Sequence, residues 1–307
     1  MCSILFSTKQ PNGINIDNLN YYNQFRGPDD TCVHIDETNG FMFIHNLVSM
    51  TGKITQQPFI DNNIICLYNG EIYNYKDFGN YESDGLCLID LYKEYGVDFV
   101  KKLDGEFAIL ILDFEKDLAL IATDPFKTKP LFYSTHNSDF GCSTYSTPLN
   151  MLGYSNIQKA KPNTASIYKL SDATLINEFT ICEFDLNQHK TSFNDWNKAF
   201  EESIIKRTSN SSQKIFIGLS SGYDSGAICC ELLKRNIPFK AYSVLGACDP
   251  RIIHENTAII DSRHDLISKS KKASYERLWK KTELYNAHRD LVQRGTEEFI
   301  YTIESSS

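Results

Sequence analysis

Near residue 190 the hydrophobic periodicity of this 307-residue chain changes character, and no single layer architecture accommodates both sides of the change. Before it, short apolar and β-branched runs alternate with turn residues. Asn63-Ile-Ile-Cys-Leu-Tyr68, Gly105-Glu-Phe-Ala-Ile-Leu-Ile-Leu-Asp113 and Leu118-Ala-Leu-Ile-Ala-Thr123 read as strands, and Phe114-Glu-Lys-Asp117 between the last two suits a hairpin. Leu88, Leu91, Tyr92, Tyr95 and Phe99 fall at helical spacing and predict a helix over about residues 85 to 101. Antiparallel strands with interposed helices make an α+β layered domain. The polar, aperiodic stretch Asp185-Leu-Asn-Gln-His-Lys-Thr-Ser192 then intervenes.

Beyond it, Asn194-Asp195 offers a helix start, with Trp196, Phe200 and Ile204 four residues apart on one face. Lys214-Ile-Phe-Ile-Gly-Leu219 reads as a buried strand and Ser220-Ser-Gly-Tyr-Asp-Ser225 as a turn. Residues 226–235 read as a helix ended by Asn236 and Pro238, and residues 239–245 as a second strand. Strand, crossover helix and strand within ~32 residues form a βαβ unit, which imposes a parallel sheet. Two domains are expected, 1–185 and 190–307. Residues 254–307 are charged with a largely helical pattern, and the tail Glu304-Ser-Ser-Ser307 reads as disordered.

Charge and cysteine usage narrow the function classes. A formal charge of −8, with no basic stripe, argues against nucleic-acid binding, and the short basic run 269–272 reads as a solvated face. No apolar run approaches the eighteen or so residues of a membrane span, and the N-terminus lacks the basic start and apolar core of an export signal. A cytoplasmic, reducing location is expected, with most of the nine cysteines acting as small buried hydrophobes. The seven histidines form no ligand pair, so a structural zinc site is not expected.

The chemistry begins at the second residue. Removal of Met1 leaves Cys2 carrying both a thiol and an α-amine of pKa ~8, so the nucleophile brings its own general base. By itself, a cysteine at position 2 is weak evidence. Behind it stand, in order, Arg26-Gly-Pro-Asp-Asp30, Tyr68-Asn-Gly-Glu-Ile-Tyr-Asn-Tyr75, Ser83-Asp84, Leu103-Asp-Gly-Glu-Phe-Ala108 and Asp124-Pro-Phe-Lys-Thr-Lys-Pro-Leu-Phe-Tyr133. Over residues 1 to ~180 this set resembles the class II glutamine amidotransferases, and within them the glutaminase domain of the asparagine synthetases. The resemblance implies an N-terminal-nucleophile αββα sandwich. It also implies Cys2 as nucleophile, and Asn69 and Gly70 as oxyanion donors through the side-chain amide and the backbone N–H. Glu71 and Asp84 become the acids that hold the glutamine ammonium, though loop acids need no such role. Arg26 is expected to shape the pocket wall, while Gly27-Pro28 suits a plain turn.

One departure stands out. The family pattern places a carboxylate-clamping arginine shortly after the histidine of a strand. Here that stretch is Phe43-Ile-His-Asn-Leu-Val-Ser-Met-Thr-Gly52, with Leu47 at the arginine position. Leucine cannot pair a carboxylate, so backbone N–H groups or another cation must serve, or glutamine binds weakly. His45 is a candidate substitute, although a core histidine suits the position as well.

In the second half, Leu219-Ser-Ser-Gly-Tyr-Asp-Ser225 follows a strand and opens a helix, the setting in which backbone N–H groups and the helix dipole favour an anion. It resembles the PP-loop of the asparagine synthetase half, with Ser221 in place of the first glycine. That likeness implies ATP held by Ser220, Gly222, Asp224 and Ser225, with Leu219 at the adenine and Mg²⁺ near Asp224. A strand-to-helix turn capped by Ser and Asp is the plain alternative. After Gly226 there are two glycines, Gly246 and Gly295, so the family's second glycine-rich acidic motif is not in this chain. The α/β parallel-sheet domain is therefore expected to be partial, with an uncovered edge that calls for a partner.

The expected activity is glutamine hydrolysis supplying ammonia for ATP-dependent amidation of aspartate. The alternatives are a glutaminase feeding another synthetase subunit and a weakened binding remnant. A homodimer or a separate synthetase subunit are the partner arrangements left open.

Overall fold

The computed structural model describes residues 2–187, 189–209, 214–220, 222–244 and 264–267. The chain divides into two compact units, 1–187 and 188–307.

In the first unit, alternation along each strand sends one side chain to the space between two sheets and the next to an outer face. The chain enters at β1 (Ser3–Ser7), passes α1 (Ile16–Asn20), and returns as β2 (Asp30–Asp36) and β3 (Phe41–Leu47). It then crosses to β4 (Phe59–Asp61) and β5 (Ile64–Ile72), and after α2 (Cys87–Tyr95) to β6 (Gly105–Asp113) and β7 (Leu118–Thr123). The hairpin β8 (Phe132–His136) and β9 (Asp139–Ser143), then α3 (Ser146–Met151), β10 (Gln158–Lys159), β11 (Thr164–Lys169) and β12 (Leu175–Thr180) complete it. Two six-stranded antiparallel sheets result, ordered β10-β8-β9-β1-β3-β2 and β12-β11-β7-β6-β5-β4.

Three cores hold four layers. Ile4, Phe6 and Phe43 of the first sheet meet Ile65, Leu67 and Leu110 of the second. On the outer face of the second sheet, Tyr68, Phe107 and Ile109 pack under Leu88, Leu91 and Tyr92 of α2. On the outer face of the first, Leu5, Met42 and Ile44 pack under Leu19 of α1 and Leu149 of α3. The architecture is helix, sheet, sheet, helix, as expected. Strands covered on both faces lose the apolar-polar alternation, which is why β6 and β7 read as continuous apolar runs. Each fully buried leucine contributes roughly 1.5–3 kcal/mol.

The structure amends two helix expectations. The helix foreseen to residue 101 stops at Tyr95, because Gly96 takes φ +58° and ends it. Residues Gly96–Lys102 continue as a 3₁₀ helix that still buries Phe99 completely. In the second unit α4 (Asn194–Ser209) forms, yet of its apolar face only Ile204 is buried, and Trp196 is 61% exposed.

That second unit carries β13 (Ile215–Gly218), α5 (Tyr223–Lys234) and β14 (Phe239–Val244), with β13 and β14 parallel. A third parallel strand, β15 (His264–Ile267), pairs with β14 inside a stretch whose pattern reads as helical. Pairing with a neighbour overrides local preference in so short a segment. Among the described residues no helix is long and apolar enough to cross a membrane. Met1, Ser221, the basic run and the tail lie outside the described residues.

Candidate active site

Cys2 precedes β1, the strand hydrogen-bonded between β3 and β9, so its position is held from both sides. By strand alternation it shares the intersheet face with Ile4 and Phe6. Its thiol is buried and clasped by one residue of the β3 exit: Sγ–H donates to Val48 O at 3.6 Å, and Val48 N–H donates to Sγ at 3.4 Å. Burial pushes the thiol pKa up, and the Val48 bond opposes this. Arg26 Nε donates to Cys2 O at 3.1 Å, and its Nη1 donates to Tyr145 Oη at 3.3 Å. Arg26 thus anchors the backbone of Cys2 from behind.

A pocket opens beside Cys2, walled by Leu47, Met50, Phe59 and Tyr68, with Gly70, Glu71 and Asp84 also in its lining. On β5, Tyr68 N–H donates to Gln57 Oε1 (2.7 Å) and Ile72 N–H to Asp84 Oδ2 (2.8 Å). The Gly70 N–H lies between these two on the same strand edge, facing the pocket that Gln57, Gly70 and Asp84 line. A Cβ on Gly70 would sit 2.1 Å from Glu106 O of β6, so the glycine is required by strand packing irrespective of any ligand. Asn69 alternates to the intersheet face with Leu67, the same face as Cys2. It is completely buried, and neither Nδ2 nor Oδ1 has a hydrogen-bond partner. A buried unsatisfied amide costs about 1–3 kcal/mol, an expense without structural return.

The two acids face the same pocket. Asp84 is 6% exposed at the entry to α2 and accepts from Tyr68 Oη (2.7 Å) as well as Ile72 N–H. Burial raises its pKa against the pull of these bonds. Glu71 accepts from Thr51 Oγ1 at 2.6 Å, and burial together with the Asp84 charge pushes its carboxyl up to about 7. Asp84 accepts more hydrogen bonds than Glu71, and these oppose the rise that burial imposes on it. Two carboxyls held this way attract a compact cation.

A family model described as a glutamine amidotransferase domain matches residues 1–180. The chain belongs to this family. Among curated relatives, a glutamine-hydrolysing asparagine synthetase of Bacillus subtilis is 39% identical over 121 residues, 36% of this chain and 16% of that protein. One assigned as a glutamine-hydrolysing asparagine synthetase in Methanocaldococcus jannaschii is 30% identical over 249 residues, 69% of this chain and 43% of that protein. The chain therefore spans less than half the length of these relatives.

Within the amidotransferase domain the tertiary structure brings Cys2, Gly70, Glu71 and Asp84 to one pocket and sets Asn69 on the Cys2 face, while Arg26 stands behind Cys2 rather than in the lining. Leu47 is in the pocket wall. His45 is not: it is 1% exposed, and burial lowers its pKa to about 4, so at neutral pH it is uncharged and does not replace the arginine as a cation. The bonds of Val48, Thr51 and Gln57 were not foreseen. Tyr68 stood in a recognised run and Val48 and Thr51 in the stretch that carries Leu47, while Gln57 sits in a stretch without periodicity or motif.

In the second unit, α5 begins at Tyr223, earlier than the pattern suggests, and takes Asp224 and Ser225 into its first turn. Ser220 and Ser225 hydroxyls pair at 2.9 Å, and Gly222 N–H donates to Ser220 Oγ at 3.1 Å. Asp224 is exposed, whereas Leu219 is 2% exposed in the core of the unit. Among the described residues no cluster of three potential metal ligands occurs. The described cysteines form no disulfide; five are buried, and Cys182 and Cys230 are exposed.

Proposed function

We propose that the chain hydrolyses glutamine at Cys2 and supplies the ammonia to an ATP-dependent amidation, with aspartate as the acceptor. The observation that carries the first step is the buried, unpartnered Asn69 amide on the face it shares with the nucleophile. Once Met1 is removed, the α-amine of Cys2 accepts the thiol proton, which burial otherwise keeps in place. Sulfur attacks the side-chain carbonyl carbon of glutamine, and the Asn69 amide and Gly70 N–H receive the developing oxyanion. The α-ammonium returns its proton to the leaving nitrogen, and collapse of the intermediate expels ammonia and leaves a thioester, which water cleaves to glutamate and the free thiol. Glu71 and Asp84 hold the substrate ammonium.

The second step rests on the names of the relatives and on the strand-loop-helix at 215–234. Ser220, Gly222 and Ser225 have the donors to bind phosphate at a helix N-terminus. One carboxylate, Asp224, suits Mg²⁺ bound mainly through phosphate oxygens. Incubation of the purified protein with glutamine is expected to release ammonia, and adding aspartate and ATP to yield asparagine and pyrophosphate. Ammonia without asparagine assigns the acceptor to another protein. No ammonia under any of these conditions, from protein whose Met1 has been removed, refutes the hydrolytic reading.

Glutamine turnover has a signature pH dependence. As pH falls through about 7, Glu71 takes a proton and the ammonium loses one counter-charge. kcat/KM is expected to decline on that side by more than the tenfold per pH unit that protonation of the Cys2 α-amine gives alone, and Glu71→Gln to leave only the α-amine limb, at a lower plateau. The sign for stability is opposite. A carboxyl raised from 4.5 to about 7 by folding costs stability that is absent below 4.5 and complete above 7. Glu71→Gln should therefore stabilise the fold at about pH 8 by on the order of 2 kcal/mol in denaturant unfolding.

A further inference from the structure

Glutamine carries its ammonium and carboxylate on one carbon, so a pocket that binds it must meet both within a few ångströms. Glu71 and Asp84 meet the ammonium. The carboxylate needs a cation or a set of N–H donors. Several donors beside the pocket are already committed: Val48 N–H to Cys2 Sγ (3.4 Å), Ser49 N–H to Asp29 Oδ2 (2.8 Å) and Lys53 N–H to Glu82 O (3.0 Å). Leu47 offers an apolar wall. Among the described residues that line the pocket, one has a cationic side chain, Lys53.

Lys53 lines the pocket that holds both acids and stands on a segment tied to each of their segments. Thr51, two residues before it, is bonded to Glu71, and Glu82, its ion-pair partner, is two residues before Asp84. Gly52, at φ +75°, closes the turn between them. A Cβ there would lie 1.9 Å from Glu82 O, so the 51–53 and 82–84 segments are locked together. The Lys53–Glu82 pair is open to solvent, with side chains 72% and 64% exposed. Such pairs are weak and exchange readily.

We propose that Lys53 reads the α-carboxylate of the substrate, releasing Glu82 to do so. This rests on the glutamine reading above. A lysine is a point charge on a flexible stem rather than a planar fork, so its grip is adjustable and governed by competition with Glu82.

Binding separates this from hydrolysis. Glutamine and glutamine α-amide, whose carboxylate is replaced by a neutral carboxamide, are titrated calorimetrically into Cys2→Ala protein, where nothing turns over. Adding Lys53→Ala is expected to weaken glutamine about tenfold and to leave the α-amide within about twofold, while Lys53→Arg retains glutamine binding. Adding Glu82→Gln, which removes the competitor, tightens glutamine about two- to threefold and not the α-amide. A structural role for the pair cannot produce that last result. Equal weakening of both ligands by Lys53→Ala, or weakening of neither, overturns the assignment, as does absent glutamine binding in the Cys2→Ala protein. Failure of the hydrolytic reading looks different: glutamine binds, and protein retaining Cys2 releases no ammonia.

Discussion

Replacing Cys2 with alanine is expected to lower ammonia release from glutamine by about 10⁴–10⁶-fold, the loss typical of removing a covalent nucleophile. The fold should survive. The thiol makes two long sulfur contacts with Val48, whereas the position of the chain is held by backbone pairing and by Arg26 on the Cys2 carbonyl. Thermal unfolding is therefore expected to move by no more than about 4 °C, as for a change near 1 kcal/mol or less. Ammonia assays, circular dichroism melts and an intact-mass measurement decide the matter together. The mass states whether Met1 has been removed, and a protein that retains Met1 should be as inactive as the alanine variant, since its Cys2 nitrogen is an amide. Undiminished turnover in Cys2→Ala would remove the nucleophile from the site.

Asn69→Leu is expected to cut kcat by about 10²–10³-fold with little change in KM, as for loss of one oxyanion donor. The same substitution should leave stability unchanged or raise it by about 1–3 kcal/mol, because it removes a buried amide that has no partner in the resting fold and replaces it with an apolar group of similar shape. The opposed signs are diagnostic. A residue that supports the fold loses stability when replaced, and one that waits for a charge loses rate. A destabilised variant with unchanged kcat would return Asn69 to a structural role. Arg26 offers a contrast, since its hydrogen bonds to Cys2 and Tyr145 are already made, and its loss would act through the position of the nucleophile.

The strands were legible because each covers its own hydrophobic faces, and a periodicity of two or a continuous apolar run records that locally. β6 and β7 match their expected residues, and the hairpin between them follows from four charged and aromatic residues too few for anything else. The helix at 85–101 was misjudged at its end for an equally physical reason. Phe99 keeps the helical spacing because it packs into the same core, while Gly96 breaks the backbone beneath it. β15 left no trace, since four residues gain their strand character from the neighbour they pair with.

The motif residues Cys2, Asn69, Gly70, Glu71 and Asp84 were therefore determined by the sequence alone, through their order and their company. The surroundings of each one were decided by tertiary structure. Asn69 is left without a partner, Gly70 is glycine because Glu106 O of the next strand is in the way, and the Glu71 carboxyl is pushed up to about 7 by burial and by the Asp84 charge beside it. The cation missing at Leu47 is supplied, in our reading, from Lys53, whose partner Glu82 is 29 residues away. Periodicity reports how one element meets the core. Charge, by contrast, is settled between segments that share no element, and their meeting exists only once the chain has folded.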